Sequence, residues 1–190
     1  MIGIPATADA SLVEAVELDR AGDDHPELSR VLAYWTLKRQ DRFAPRRADI
    51  DPVDLVESLS RITLSDVLRT GAAGEALDFR YRLCGTEICT THWRDPTGQA
   101  PRDMRPPAFG ALLHDHYTQA VQRRAPMVHL ITMTTPDKSR SYVRLLLPLS
   151  EDGATVTMLM TVDSKQQNTR ALLDYFDKVS RKGPVTRKNE

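Results

Sequence analysis

Leu77-Asp78-Phe79-Arg80-Tyr81-Arg82-Leu83-Cys84-Gly85-Thr86-Glu87 is the stretch whose reading decides the fold. Leu77, Phe79, Tyr81 and Leu83 alternate with Asp78, Arg80 and Arg82, the period of a strand with one buried face. Gly85 ends that strand and a short turn begins. Just upstream, Ile62 to Leu68 reads as a partner strand, joined to it through Gly71 to Gly74. Further on, Met127 to Thr134, Ser141 to Leu149 and Thr155 to Val162 read as three more strands. Pro136-Asp137-Lys138 and Glu151-Asp152-Gly153 supply the turns of a meander.

Between the strand pair and the meander, short helical pieces are expected over residues 85–106, broken by Pro96, Gly98, Pro101 and Pro106. Pro107 then opens the longest central helix, with Phe109, Leu112, Leu113, Tyr117, Ala120 and Val121 on one side. Towards the N-terminus, Asp23-Asp24-His25-Pro26 starts another helix, in which Leu28, Val31, Leu32 and Trp35 form an apolar stripe. It stops at Arg42-Phe43-Ala44-Pro45, because the residue before a proline avoids helical geometry. Asp51 is the expected cap of a turn that begins at Pro52. Ser11-Leu12-Val13-Glu14 has the form of a capping box, so a short helix closed by Gly22 is expected there. A last helix is expected after Asp163 or Ser164, with Thr169, Leu172, Leu173, Phe176 and Val179 as its stripe.

Two strands, a helical crossover and a three-strand meander can close one antiparallel sheet, which makes the fold class α+β. The expected organisation is an N-terminal helical extension over residues 1–26, one domain over 27–163, and a C-terminal helix with a basic tail over 164–190. A chain of 190 residues buries one good core and leaves little room for a second.

Composition narrows the function classes. The 26 basic and 26 acidic residues cancel, so no global field favours nucleic acid or an anionic membrane. No apolar run reaches the length of a membrane helix, and Met1-Ile2-Gly3-Ile4-Pro5 lacks the start of a secretory signal. A cytoplasmic location is the expectation. The two cysteines, Cys84 and Cys89, fit neither a zinc nor a haem-attachment spacing and read as reduced structural thiols. A serine elbow, a phosphate-cradling glycine loop, a zinc-protease helix and a deaminase signature are all missing, so the chain is not read as an enzyme.

Two further segments join the opening stretch: Leu32-Ala33-Tyr34-Trp35-Thr36-Leu37-Lys38-Arg39, and Pro45-Arg46-Arg47-Ala48-Asp49-Ile50-Asp51-Pro52-Val53-Asp54-Leu55. Together the three resemble the PAS-like family of short bacterial proteins, with its tyrosine-tryptophan helix, its P-x-R-x-D-I-D-P loop and its F-R-Y-R-L-x-G-T strand. The resemblance runs from Leu28 to Asp163. It implies a PAS-like fold: a five-stranded antiparallel sheet with helices on one face, plus flanking N- and C-terminal helices. It also implies a cup between sheet and helices, in which ligands of such families sit.

The candidate lining of that cup is Phe79, Tyr81 and Leu83 from the strand, with Leu112, Leu113, His116 and Tyr117 from the long helix. The same residues are equally what a filled core would use. His116 is the sharpest of them, because at about 100° per residue it falls inside an apolar stripe, with His114 near its edge. Haem-binding members of the superfamily place their iron ligand on this helix. A neutral core histidine sharing a hydrogen bond is the preferred reading, since no other haem signature is present. Flavin photochemistry through Cys89 is not expected, because Glu87-Ile88-Cys89-Thr90-Thr91-His92-Trp93 lacks the asparagine, arginine and glutamine of the photosensor motif. Otherwise the cofactor is unknown.

In His92-Trp93-Arg94-Asp95, Trp93 and Arg94 are candidates for a pocket gate and an anion clamp. The alternative is a loop in which Trp93 plugs the core and Arg94 pairs with Asp95 or Asp103. Arg46, Arg47, Asp49 and Asp51 are read either as charge pairs that pin their loop or as a docking surface. Two of the meander strands are apolar on both faces: Val128 and Leu130 oppose Met127 and Ile131, and Val143, Leu145 and Leu147 oppose Tyr142 and Leu146. The face turned away from the cup then needs a cover, either terminal helices or a second copy, so a homodimer is expected. The functional expectation is a stand-alone sensory or scaffolding protein of bacterial signalling, without an output domain of its own. It would bind a small molecule, a protein signalling partner, or both. A carrier or enzyme using the same cup is the alternative.

Overall fold

The computed structural model describes residues 12–21, 24–71, 76–134 and 139–165. In chain order the elements are β1 (Leu12–Leu18), α1 (Pro26–Arg39), β2 (Ile62–Thr70), β3 (Ala76–Cys84), α2 (Thr86–Thr91), α3 (Pro107–Arg123), β4 (Met127–Thr134), β5 (Ser139–Leu149) and β6 (Met158–Asp163). Single 3-10 turns stand at Arg47–Asp49, Pro52–Leu55, Leu59–Arg61 and Pro101–Asp103. The strands form one antiparallel sheet in the order β1-β4-β5-β6-β2-β3. The α+β class and the order of strands, crossover helix and meander are as the sequence implied.

The sheet has six strands rather than five, and the extra one overturns an expectation. Residues 12–18 are strand β1, not a helix. Val13 and Ala15 face inward and pack on the core, while Leu12 and Glu14 are exposed. That alternation serves a strand as well as the capping box serves a helix. The open edge of β4 decides between them, because β1 pairs with it from Leu12–Thr134 to Leu18–Val128 and satisfies its backbone groups. The final helix expected after Ser164, with its Leu172, Leu173 and Phe176 stripe, lies outside the described residues.

Helices cover both faces of the sheet, a second difference from the expectation. The outer face carries Ile62, Leu64, Leu130, Val143, Leu145, Leu147, Met160 and Val162. Leu28, Val31 and Trp35 of α1 lie on it, joined by Ala44, Ile50 and Leu55 from the loop that follows. The Trp35 indole donates to the Pro148 carbonyl at 2.8 Å. This face, which prompted the expectation of a second chain, is therefore covered by the chain itself.

Hydrogen bonds and the Arg42–Asp49 ion pair hold the loop after α1, whereas Arg46, Arg47 and Asp51, expected to form charge pairs, form none among the described residues. The Asp49 carboxylate accepts from the Arg46 backbone and the Arg42 guanidinium, each at 2.8 Å. Asp51 caps the turn at Pro52 by accepting from the Val53 amide, and its own amide donates to the Tyr34 hydroxyl at 2.8 Å. The tyrosine-tryptophan pair of α1 thus serves two ends: Trp35 anchors the helix to the sheet, and Tyr34 anchors the loop to the helix.

The inner face belongs to α2 and α3. Gly110 lets α3 start close to the preceding turn, since a Cβ there would collide with the Arg102 and Met104 carbonyl oxygens. Phe109, Leu113, Tyr117, Ala120 and Val121 of α3 then pack on Phe79, Tyr81, Met127, Ile131, Tyr142, Leu146 and Leu159 of the sheet.

Candidate functional site

Strand register places four polar side chains in one row across the inner face. Glu17 of β1 stands opposite His129 of β4, His129 opposite Arg144 of β5, and Arg144 opposite Asp163 of β6. Arg144 and His129 are buried, against the trend for such groups. Arg144 gives Asp163 a bidentate pair, Nε to Oδ1 at 2.7 Å and Nη2 to Oδ2 at 2.9 Å. Its guanidinium carbon lies 5.3 Å from the Tyr142 ring and 6.0 Å from the Phe109 ring. Burial alone would make the guanidinium easier to deprotonate, but Asp163 reverses this and holds it charged.

Helix α3 sets its polar side chains directly over this row. The His116 and His129 rings stack with centroids 3.7 Å apart and planes 15° from parallel. Burial, then the facing His129 and Arg144, holds His116 neutral down to about 3. Burial also brings His129 down to about 4, with Arg144 and Arg123 pushing the same way and Glu17 opposing. Tyr117 and His114 each meet the Phe79 ring edge-on, at 5.3 and 5.4 Å. Burial raises the Tyr81 hydroxyl well above its ordinary value, with the nearby Tyr117 hydroxyl adding to the effect.

Several donors and acceptors in this layer have no hydrogen-bond partner among the described residues. They are Arg144 Nη1, Tyr117 OH, Ser65 Oγ, His116 Nδ1 and His129 Nδ1, all buried. An unpartnered buried polar group costs about 1–3 kcal/mol, so their collection between α3 and the sheet needs an occupant or a reason. At one end the layer opens into a cleft of about 90 Å³. Phe109, Tyr142 and Asp163, the groups that touch Arg144, line it together with His92, Arg140 and Lys165.

The residues named from the sequence divide into two groups. Phe79, Tyr81, Leu113, His116 and Tyr117 come together, and Leu112 packs at the edge of the same cluster. Leu83 does not join them. A bulge between Leu64 and Ser65 skips Arg82 in the pairing, so Leu83 stands beside Leu64 on the outer face and is 45% exposed. There it lines an outer apolar groove of about 370 Å³ with Ile50, Leu55, Leu59, Leu64 and Met160. Trp93 neither gates nor plugs the cup. With φ at +57° it ends the turn after α2, and it is 78% exposed. Arg94 is exposed and forms no ion pair among the described residues, so the pairing with Asp95 or Asp103 is not present, and Arg94 does not line the cleft.

His129, Arg144 and Asp163 escaped the sequence reading. The usable signal was a charged or titratable residue flanked by apolar neighbours inside a strand, in Val128-His129-Leu130 and Val143-Arg144-Leu145. His92, expected in a loop cluster, stacks on Phe109 at 6.0 Å instead and is held neutral down to about 4, chiefly by burial. The residues around His116 do not fit a haem: one face of the ring lies against His129, and the adjoining cleft is far smaller than a porphyrin. Among the described residues no group of three or more His, Cys, Asp or Glu side chains could hold a metal ion. Burial pushes the Cys84 thiol up to about 12, and the Cys89 thiol donates to the Cys84 carbonyl, as structural thiols would.

A family model described as PAS domain matches residues 23–163. The chain belongs to the PAS domain family. PAS domains are sensory and signalling modules. Among solved structures, the chain is similar to the PAS domain from Bordetella pertussis BvgS, at 14% identity and a TM-score of 0.47. That likeness covers 67% of this chain and 91% of the other. No curated protein sequence matches the chain. Among the described residues of this PAS protein no helix is long and apolar enough to cross a membrane.

Proposed function

We propose that the protein is a sensory module of bacterial signalling that works by binding rather than by catalysis. Its input is a small molecule held between α3 and the inner face of the sheet. The observation that carries this reading is the convergence of unpartnered buried polar atoms from three elements: Tyr117 and His116 on α3, His129 on β4, and Arg144 on β5. A core serving only stability does better with apolar groups of the same shape, so such a cluster points to a guest. The signal leaves through contact with a partner protein.

A homodimer is the finer part of the proposal. The outer groove around Leu59, Leu64 and Leu83 supports it, because the sheet face itself is covered by α1. The two free thiols suit a reducing, cytoplasmic setting. Light scattering at micromolar concentration tests the dimer, and a monomeric mass removes it.

Native mass spectrometry of the protein and of His116→Leu tests the sensory reading. Retention of a small molecule by the parent, and its loss from a variant that stays folded, is the expected result. A parent protein that holds nothing but water overturns it.

A further inference from the structure

We propose that the cleft beside Arg144 is a binding site for a small monocarboxylate, drawn in by Arg140 and Lys165 and bounded by the Arg144–Asp163 pair. The cleft adjoins the layer on which the sensory reading rests but is lined by none of Tyr117, His116, His129 and Arg144, so the inference goes beyond that reading.

Charge is the first argument. Arg61, Arg140 and Lys165 line the cleft with two carboxylates, Glu87 and Asp163. Glu87 is engaged by Arg61 at 3.3 Å. Asp163 spends both oxygens on Arg144, which stands behind the wall. Arg140 and Lys165 are left with no anionic partner among the described residues, so the cleft carries an excess of positive charge. Such a lining concentrates anions in a low-dielectric crevice.

Hydrogen bonding is the second. Arg144 is buried and charged, and its Nη1 is a donor with no acceptor. Arg144 does not itself line the cleft, so its charge acts through the wall made by Asp163, Phe109 and Tyr142, and the charge-assisted hydrogen bonds to a carboxylate come from Arg140 and Lys165.

Size and shape are the third. A volume of about 90 Å³ takes a short carboxylate and little more. Phe109 and His92, stacked 23° from parallel, form one flat wall with Tyr142 as a further ring. Two carboxylates already in the lining work against a dianion such as phosphate, whereas a monoanion meets the unpaired cations without crowding them.

The test is a titration of the full chain at constant ionic strength, followed by backbone amide NMR. Sodium acetate and sodium propionate are the probes, with acetamide as neutral isostere and sodium chloride and phosphate as competing ions. Saturable shifts at Phe109, Tyr142 and Asp163 with the carboxylates but not with acetamide are expected. Arg140→Gln and Lys165→Gln, both in the lining, are each expected to weaken acetate binding about tenfold while the melting temperature without ligand holds. Equal shifts with chloride, tighter binding of phosphate, or undiminished acetate binding by the double variant would each overturn the proposal. So would the absence of any saturable response. A neutral molecule retained in native mass spectrometry alongside a silent acetate titration sinks this inference and leaves the sensory reading standing.

Discussion

The His116 and His129 rings lie face to face at 3.7 Å, one from α3 and one from β4, both shut off from solvent. Among the described residues no acid faces His116, and the Glu17 opposite His129 only partly offsets its burial. Arg144 bears on both.

This arrangement sets a pH dependence. The unfolded chain takes up these protons near 6.5, while the folded state holds His116 neutral to about 3 and His129 to about 4. Between those values the unfolded state binds more protons, so the stability is fully present above pH 6.5 and is lost as the pH falls. Each histidine contributes a slope of about 1.4 kcal/mol per pH unit in that window. Urea unfolding from pH 7 to 4 is expected to show the loss, to which His92, also held neutral to about 4, adds an equal share. His116→Leu is expected to flatten it by roughly a third. An unchanged slope in the variant would contradict the assignment.

Arg144 and Asp163 form a buried pair whose members are unequal to any single replacement. Arg144→Met or Asp163→Ala alone is expected to cost about 3–5 kcal/mol, because each strands a charge in the core. The double variant Arg144→Met/Asp163→Leu is expected to recover much of that. Chemical denaturation of all three proteins reads the coupling, and strictly additive losses would show that the pair is not a unit.

Gly110 is where α3 meets the Pro101–Asp103 turn. In Gly110→Ala the methyl would meet two backbone carbonyl oxygens that have no flexible end to move. A loss of more than about 2 kcal/mol in stability is expected. Gly153→Ala is the contrast: a Cβ there meets nothing within 4 Å, and its strain comes from φ at +70° alone. Equal melting temperatures for Gly110→Ala and the parent would refute the clash.

Tyr34→Phe removes the hydroxyl that accepts from the Asp51 amide and that also meets the Asp54 carboxylate. A loss of about 0.5–1.5 kcal/mol is expected, with hydrogen exchange at Asp51 accelerated well beyond that at Trp35. Unchanged exchange at Asp51 would mean the loop is held by its ion pairs alone.

Much of this architecture was legible in the sequence because its signals are local. Leu28, Val31 and Trp35 mark the buried stripe of α1 by spacing alone, and Asp51 before Pro52 marks a capped turn. His116 is buried where the periodicity of α3 put it. Two local signals misled. The capping box at Ser11 to Glu14 competed with a strand pattern over the same residues, and the edge of β4 decided the matter. The alternation through Leu83 broke at a bulge, which no pattern in Leu77 to Leu83 announces.

The chain by itself determined which segments bury an apolar face, and therefore the α+β class, the crossover helix and the PAS cup. Such patterns follow from periodicity, and periodicity is written in adjacent residues. Only the tertiary structure decided that Glu17, His129, Arg144 and Asp163 stand in one row, because strand register brings together residues up to 146 positions apart, with 17 paired to 129 and 144 to 163 along the way. It alone set His116 on His129 and left the last donor of Arg144 without a partner. A buried charge is stabilised by what surrounds it in space, and no local stretch of sequence carries that information.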